Sequence, residues 1–419
     1  MPDAPLKLRV HDTLSRRKVG VKPSPGKGGR SVRLYVCGIT PYDAGHMGHA
    51  FTFCAYDVLI RFIESSGVRV RYVQNITDVD DPLFERARRD RVDWRDLADK
   101  ETAIHLRDMD ALGWRRPDFL PRVSDEIKPI LSAAGKLYAA GYGYQTDAVY
   151  FDASKYRGYG RLSRRTRRSM IRKLRHEDLL GMVGPGAKRD ALDFPLWRGS
   201  APDEPAWPSQ FGPGRPGWHI ECTAMSMHYL GEQIDIHGGG RDLAFSHHES
   251  ERAQSESLTG KVPFARIWMH AGLVRYEGRK MSKSLGNLVY VSQALERAPA
   301  AGCGSIWPHI GMGVIGSSTG RGWRERPGWL RACARCWKVS RRGWDRLNPQ
   351  NREGWDPKKV CRSAGGGSWP GSTTPSPTTS TPRPRFGYCA KPSAGARPKQ
   401  PATCSGSWPE PPRSARTGR

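Results

Sequence analysis

No stretch of the 419 residues approaches the eighteen or more consecutive apolar residues of a membrane-spanning helix, so no helical span is expected. The first thirty residues, beginning MPDAPLKLRV, lack an apolar core of signal-peptide length, so a secretory route is not expected either. Cysteine is sparse in residues 1–297, where only Cys37, Cys54 and Cys222 occur. That usage suits a reducing cytoplasm and argues against a disulfide framework. Large aliphatic side chains are scarce at the other end: residues 298–419 hold nine Leu, Ile, Val or Phe in 122 positions. A chain so poor in them cannot bury enough apolar area to offset its ordering entropy, and disorder is expected there. Acid is short overall, 41 Asp and Glu against 68 Lys and Arg, for a net charge of +27. Such a balance ordinarily points to a polyanionic partner. Here +16 of it belongs to residues 298–419, which also carry 8 of the 14 Trp and 6 of the 9 Cys. The front portion is only mildly basic.

What the front portion does contain is an alternation of strands and helices. After a polar arm over residues 1–30, residues 31–38 (SVRLYVCG) read as a buried strand, and residues 49–64 carry a helical apolar period. Gly67 ends that helix and residues 69–75 read as a second strand. Strand, helix, strand at this spacing predicts a βαβ unit and a parallel sheet. Helices are expected at about 81–112 and 125–140, and a short strand at 149–152. Residues 155–175 hold ten basic side chains and no acid. They read either as a solvated helix face on an inserted subdomain or as a contact for a nucleic acid backbone. Residues 202–217 look like a tight connector, and the alternation resumes from 218 to 297.

Three clusters carry chemistry. His46-Met47-Gly48-His49 opens a helix just after a strand ending in Cys37-Gly38. Strand carboxyl ends and helix amino ends converge on crevices that favour phosphate, and two histidines there could donate to phosphoryl oxygens. An H-x-x-H metal pair or plain helix capping are the alternatives. The second cluster is Lys280-Met281-Ser282-Lys283-Ser284, a cationic loop beside Gly286 suited to a pyrophosphate leaving group; a solvated turn is the bland alternative. Third, His247 and Glu251 stand i, i+4, so a helix starting near Phe245 puts both on one face while His248 and Glu249 point elsewhere. With Cys222 and Cys37 they would make an acceptable zinc set, though cysteines so far apart in sequence serve equally well as packing.

Taken together, the first two clusters resemble the HIGH and KMSKS couple of class I aminoacyl-tRNA synthetases. Residues from about Leu6 to Arg297 are similar to the catalytic region of cysteinyl-tRNA synthetases. The similarity rests on YVCGITPYDAGHMGHA, YVQNITDVDD, KRDALDFPLW, GPGRPGWHIECTAMS, DIHGGGRDLAFSHHESERAQSE and KMSKSLGN. The resemblance implies an α/β fold, a Rossmann-like parallel sheet over residues 31–297 with an inserted subdomain at about 113–200. It implies one zinc ion held by Cys37, Cys222, His247 and Glu251, binding the thiolate of substrate cysteine and lost in Cys37→Ser or Cys222→Ser. Zinc's preference for sulfur would exclude serine without editing. By the same resemblance His46 and His49 would contact the phosphates of ATP, bound with Mg2+, and Lys280 and Lys283 would serve the departing pyrophosphate. Gly38, Gly48, Gly238, Gly239, Gly240 and Asp242 would border the nucleotide, and Thr52, Thr77 and Trp218 the cysteine pocket. The implied reaction is formation of cysteinyl-AMP and transfer to tRNA(Cys), in the cytoplasm. Nothing fixes an oligomeric state, and a monomer is the simpler expectation.

A sister family, the mycothiol-pathway ligase that joins cysteine to glucosaminyl-inositol, shares this core. Cys37 to Asp43 (with ITPYD) and Gly48 to Ala50 resemble that ligase; Glu251, KRDALDF and MSKSLGN look more like the synthetase, which is the favoured reading. The Glu-Arg-Gly-Gly-Asp-Pro element of the ligase is absent, Val183-Gly184-Pro185-Gly186 standing nearby instead. A non-catalytic nucleic-acid-binding relative is the third reading, and the intact motif set argues against it.

The resemblance stops near residue 297. Beyond that point Pro, Gly, Arg, Trp and Ser recur without period, and the lone C-x-x-C at 333–336 has no partner pair. Read from the third base of the Gly302 codon, the codons for residues 302–313 permit Leu-Arg-Leu-Tyr-Leu-Ala-Ser-His-Arg-Tyr-Gly, provided Ser305 uses a TCN codon. That amphipathic string resembles the family's continuation, so a frameshift close to residue 300 is hypothesised, which the nucleotide sequence decides. The chain as written is expected to adenylate weakly and transfer more weakly, because loop 280–284 would lack the helical domain that normally supports it.

Overall fold

The computed structural model describes residues 6–26, 29–176, 188–276, 279–281, 285–297 and 313–315. In chain order these form β1 (Arg9–Asp12), β2 (Arg17–Gly20), β3 (Ser24–Gly26), β4 (Gly29–Ile39), α1 (Met47–Ser65) and β5 (Arg69–Ile76). Next come α2 (Asp81–Asp90), α3 (Trp94–Ala111), α4 (Ile127–Ala139), β6 (Gly143–Gln145), β7 (Ala148–Phe151), α5 (Arg167–His176), β8 (Phe194–Arg198) and β9 (Arg215–Pro216). The last group is α6 (Trp218–Leu230), β10 (Ile234–Gly240), α7 (His247–Thr259), β11 (Ala265–Ala271), β12 (Leu273–Tyr276), β13 (Arg279–Lys280), α8 (Val291–Arg297) and β14 (Gly313–Ile315).

The central sheet is parallel through β11, β10, β4 and β5, with β3 added as an antiparallel hairpin on the start of β4. Along β4 the side chains alternate between two cores. Val32, Leu34 and Val36 pack with Phe53, Tyr56, Ile60 and Ile63 of α1, whereas Tyr35 and Cys37 face Ile220, Cys222 and Met225 of α6. A strand covered on both faces has no polar side to show, which is why Leu34 to Cys37 are apolar without a break. The parallel βαβ unit expected from residues 31–75 is therefore present.

Three local readings are modified. The single helix expected over 81–112 is two, because Arg91 takes a left-handed conformation and Asp93 caps α3 by accepting from the Arg95 and Asp96 amides. The polar arm carries strands β1 to β3 and is tied down: buried Asp12 accepts from the Trp268 amide at 2.9 Å, and the Thr13 amide donates to the Trp268 carbonyl. Between β5 and α6 a four-stranded antiparallel sheet, β6-β7-β8-β9, extends to Pro216. Arg198 grips Asp81 with two bonds of 3.0 and 3.1 Å, and buried Arg215 bridges Asp81 and Glu204, fixing this sheet to the start of α2.

The basic run splits by face. Leu162, Met170 and Leu174 are buried in the core, while Arg161, Arg164, Arg165, Arg167, Arg168 and Arg172 are exposed. Of residues 298–419, the strand 313–315 pairs with β12. The rest of that segment, with the expected disorder and the C-x-x-C at 333–336, lies outside the described residues. No helix among the described residues is long and apolar enough to cross a membrane.

Beneath the loop that precedes α1, His105 of α3 packs against the Phe53 and Trp114 rings with its Nε2 unpaired, and burial lowers its pKa to about 4. An unfolded chain binds that proton below about pH 6.5, so this contribution is complete above pH 6.5 and is lost as pH falls toward 4. About 3 kcal/mol is at stake. His105→Gln is expected to flatten the fall of the thermal midpoint between pH 6.5 and 4; an unchanged profile would contradict the assignment.

Candidate active site

The carboxyl ends of β4 and β10 lie side by side in the parallel sheet, with α1 following the first and α7 the second. From β4 comes Cys37, from α6 Cys222, and from successive turns at the start of α7 His247 and Glu251. Their four donor atoms lie within 4.8 Å of one another and all four residues are buried. His247 Nε2 is 3.1 Å from Glu251 Oε1, and Cys37 Sγ donates to the same oxygen at 3.5 Å. Donors around a tetrahedral zinc ion lie about 3.3–3.8 Å apart, so the set fits a borderline-soft dication well. Burial, then the neighbouring Cys222 and Glu251, push the Cys37 thiol well up, a cost that a bound dication would reverse. Burial also raises the carboxyl of Glu251, but His237 and His247 outweigh it and hold it below its ordinary value.

His247 is oriented from behind. Its Nδ1 meets His219 Nδ1 at 2.9 Å, and the Trp218 ring stacks on it at 4.2 Å. Burial lowers His247 and His219 to about 3, so the ligand imidazole stays neutral as a metal requires. Trp218 and His219 also line a cleft bordered by Asp80, Lys188, Arg198 and Arg215. Thr77 is buried and accepts from Asn75 Nδ2 at 2.9 Å.

The phosphate-type elements adjoin this cluster. His46 caps α1, its Nδ1 accepting from the Gly48 amide at 3.0 Å, and its ring stacks on that of His49 at 3.9 Å. Capping is thus realised, while neither histidine joins a metal-type group among the described residues. The Met47 amide donates to the Val289 carbonyl and the Val291 amide to the Gly45 carbonyl, so the HMGH turn is stitched to the segment after KMSKS. A Cβ on Gly48 would stand 3.4 Å from the Met281 methyl. The structure brings the two motifs together across about 230 residues of sequence. The side chain of Lys280, and residues Ser282, Lys283 and Ser284, lie outside the described set.

The glycines divide by role. A Cβ on Gly238 would meet the Tyr56 ring at 2.6 Å, one on Gly239 the ends of Leu243 and His248, and one on Gly240 Asp242 Oδ1 at 2.5 Å, with Thr52 3.8 Å away. These close passages leave no room for a side chain where the end of β10 runs against Tyr56, Leu243, His248 and Asp242. Gly38 instead faces β5: its Cβ would fall 1.6 Å from the Asn75 carbonyl oxygen.

Sequence reasoning missed several residues. Tyr56 donates to the Met269 carbonyl and accepts from the Gly239 amide at 2.8 Å, pinning the end of β10 to α1. Asn75 bonds the Gly38 amide. His248 does not point away from the cluster as expected: with His237 it forms a second four-donor set around Cys37 and Glu251. Glu249 does point elsewhere, accepting from the Leu162 and Ser163 amides.

The parallel sheet with a crevice at its strand ends is the architecture of a class I synthetase core. Methionyl-tRNA synthetase of Mycobacterium tuberculosis, solved with methionyl-adenylate, superposes with a TM-score of 0.50 at 18% identity, over 67% of this chain and 64% of that one. The sequence profile of the tRNA synthetases class I (C) catalytic domain matches residues 25–302, and the chain belongs to that family. Both groups inferred from the motifs occur among its relatives. The L-cysteine:1D-myo-inositol 2-amino-2-deoxy-alpha-D-glucopyranoside ligase of Frankia alni is 49% identical over 269 residues, 64% of each chain. The cysteine--tRNA ligase of Thioalkalivibrio sulfidiphilus is 47% identical over 299 residues, 70% of this chain and 62% of its own. The chain therefore spans just under two thirds of the length of these curated relatives.

Proposed function

We propose that the chain activates L-cysteine with ATP and Mg2+ as cysteinyl-AMP, as a zinc-dependent cytoplasmic ligase. Two observations support this reading: the thiol-rich cluster of Cys37, Cys222, His247 and Glu251, and the bonds that tie the HMGH turn to Val289 and Val291 just after KMSKS. Those four residues would hold zinc, which when bound supplies a thiophilic Lewis acid that distinguishes a thiol from a hydroxyl. Trp218 and Thr77 border the place where the substrate's backbone would lie. The cysteine carboxylate oxygen attacks the α-phosphorus of ATP, and the bond from that phosphorus to the bridging oxygen breaks, releasing pyrophosphate. His46 and His49, at the positive end of α1, stabilise charge on the phosphoryl oxygens, and Lys280 and Lys283 that on the leaving group. Gly238, Gly239, Gly240 and Asp242 receive adenosine.

Transfer to tRNA(Cys) is the first acceptor reading, supported by the exposed arginines between Arg161 and Arg172, which suit a phosphate backbone. An amino-sugar acceptor is the second, supported by the 49% identity to the Frankia ligase. Cysteine-dependent ATP–pyrophosphate exchange by the zinc-loaded full chain tests the first step, and absence of exchange would refute it. Product analysis with tRNA(Cys) and with glucosaminyl-inositol then separates the acceptors: charged tRNA supports the first, an amide-linked product the second.

A further inference from the structure

Cys37 and Glu251 belong to two donor sets. In the second, His237 and His248 replace Cys222 and His247, and the four donor atoms again lie within 4.8 Å of one another in full burial. His237 Nε2 stands 3.7 Å from Cys37 Sγ and 3.1 Å from Glu251 Oε2. Despite that approach the oxygen has no aligned hydrogen-bond donor. Two groups so close yet misaligned have the disposition of donors that face a common cation. His248 Nε2 is likewise buried without a hydrogen-bond partner, 3.9 Å from Glu251 Oε1.

The ring of His248 is held for this purpose. Its Nδ1 meets His270 Nε2 at 2.8 Å, and His270 Nδ1 meets Thr13 Oγ1 at 2.8 Å. With protons on the Nδ1 of both rings, the chain His248–His270–Thr13 is satisfied and His248 Nε2 is left as a lone pair facing the cluster. Glu251 thus turns one oxygen toward His247 and the other toward His237.

We propose that the chain has a second metal position formed by Cys37, His237, His248 and Glu251. It overlaps the first through Cys37 and Glu251, so a single ion occupies one or the other. The inference rests on the metal reading above. The first position is the stronger, because it supplies two thiols where the second supplies one. The consequence reverses an expectation drawn from sequence. Losing Cys222 does not empty the cluster, because the ion retreats to the second position, whereas losing Cys37 empties both.

The test uses the full chain, zinc analysis after gel filtration, and the absorption spectrum of the cobalt-substituted form. Wild-type protein holding one zinc supports the underlying reading by itself. Cys222→Ser is expected to retain close to one zinc, bound about 10–100-fold more weakly, with the sulfur-to-cobalt charge-transfer band cut to about half as one of two thiolates is lost. Adding His237→Asn and His248→Asn to Cys222→Ser is expected to abolish binding. A folded Cys222→Ser protein devoid of zinc, or a triple variant that holds zinc as well as the single one, would overturn the proposal. His247→Ala supplies a second arm should Cys222→Ser fail to fold: it too is expected to retain the ion, now with one thiolate signature, and its loss would be equally decisive.

Discussion

Cys37→Ser is expected to leave the full chain without zinc and to lower cysteine-dependent pyrophosphate exchange by at least about a hundredfold, beyond the 10–100-fold typical of mutating an outer-shell partner. The size of the effect comes from where Cys37 stands. It is a buried side chain near the carboxyl end of β4, and it is common to both donor sets. Without a cation its thiol is pushed well up by burial and by Cys222 and Glu251, so the empty cluster holds a neutral thiol beside a carboxylate. A dication lowers that thiol's pKa and offsets the burial of Glu251 at once. Serine keeps the shape but offers a hard hydroxyl that does not ionise under these conditions, and the soft pair that selects a thiol substrate is lost. Zinc analysis beside the exchange assay checks both halves. Retention of wild-type zinc by Cys37→Ser would remove the basis of the active-site reading and of the second metal position together.

The parts of this site that are legible in the sequence are those whose spacing is set by one element. His247 and Glu251 follow from the helical i, i+4 rule, and the βαβ unit follows from the contrast between the apolar run at 31–38 and the helical period at 49–64. His237 gives no such signal. It sits in β10 between Ile236 and Gly238, on a strand buried from Ile234 to Gly239, where a histidine reads as one more covered residue. Helix geometry alone turns His248 away from the face that His247 and Glu251 share. Only the strand ends of β4 and β10, brought side by side by their parallel pairing, put its imidazole within reach. The capture of the arm by Trp268, and the bridging of the antiparallel sheet to α2 through Arg215 and Asp81, are contacts between segments remote in sequence. No local pattern carries them.

Gly38→Ala carries the second large expected effect, and here the structure adds a packing reason for a residue singled out from its sequence. Its place beside Cys37 suggests a border for the nucleotide. A methyl group at this position would fall 1.6 Å from the Asn75 carbonyl oxygen and 2.8 Å from its carbon, both backbone atoms of the neighbouring strand. Relief requires separating β4 from β5, where the pairing shifts register between Val36 and Ile39 and the Gly38 amide is held by Asn75 Oδ1 at 2.9 Å. Overpacking a core costs about 1–3 kcal/mol when side chains can yield; against backbone the cost lies at or above the top of that range. A fall in thermal midpoint of about 6 °C or more is expected, together with weaker zinc binding, since Cys37 moves with the strand. Gly239→Ala is the control that separates crowding of backbone from crowding of side chains. Its methyl would meet side chains, not backbone: Leu243 Cδ1 at 2.9 Å, which can turn, and the His248 ring at 3.0 Å. It is expected to cost less stability than Gly38→Ala while disturbing the crevice more directly. Equal thermal midpoints for Gly38→Ala and the unmodified chain would show that β4 and β5 do not pair in this register.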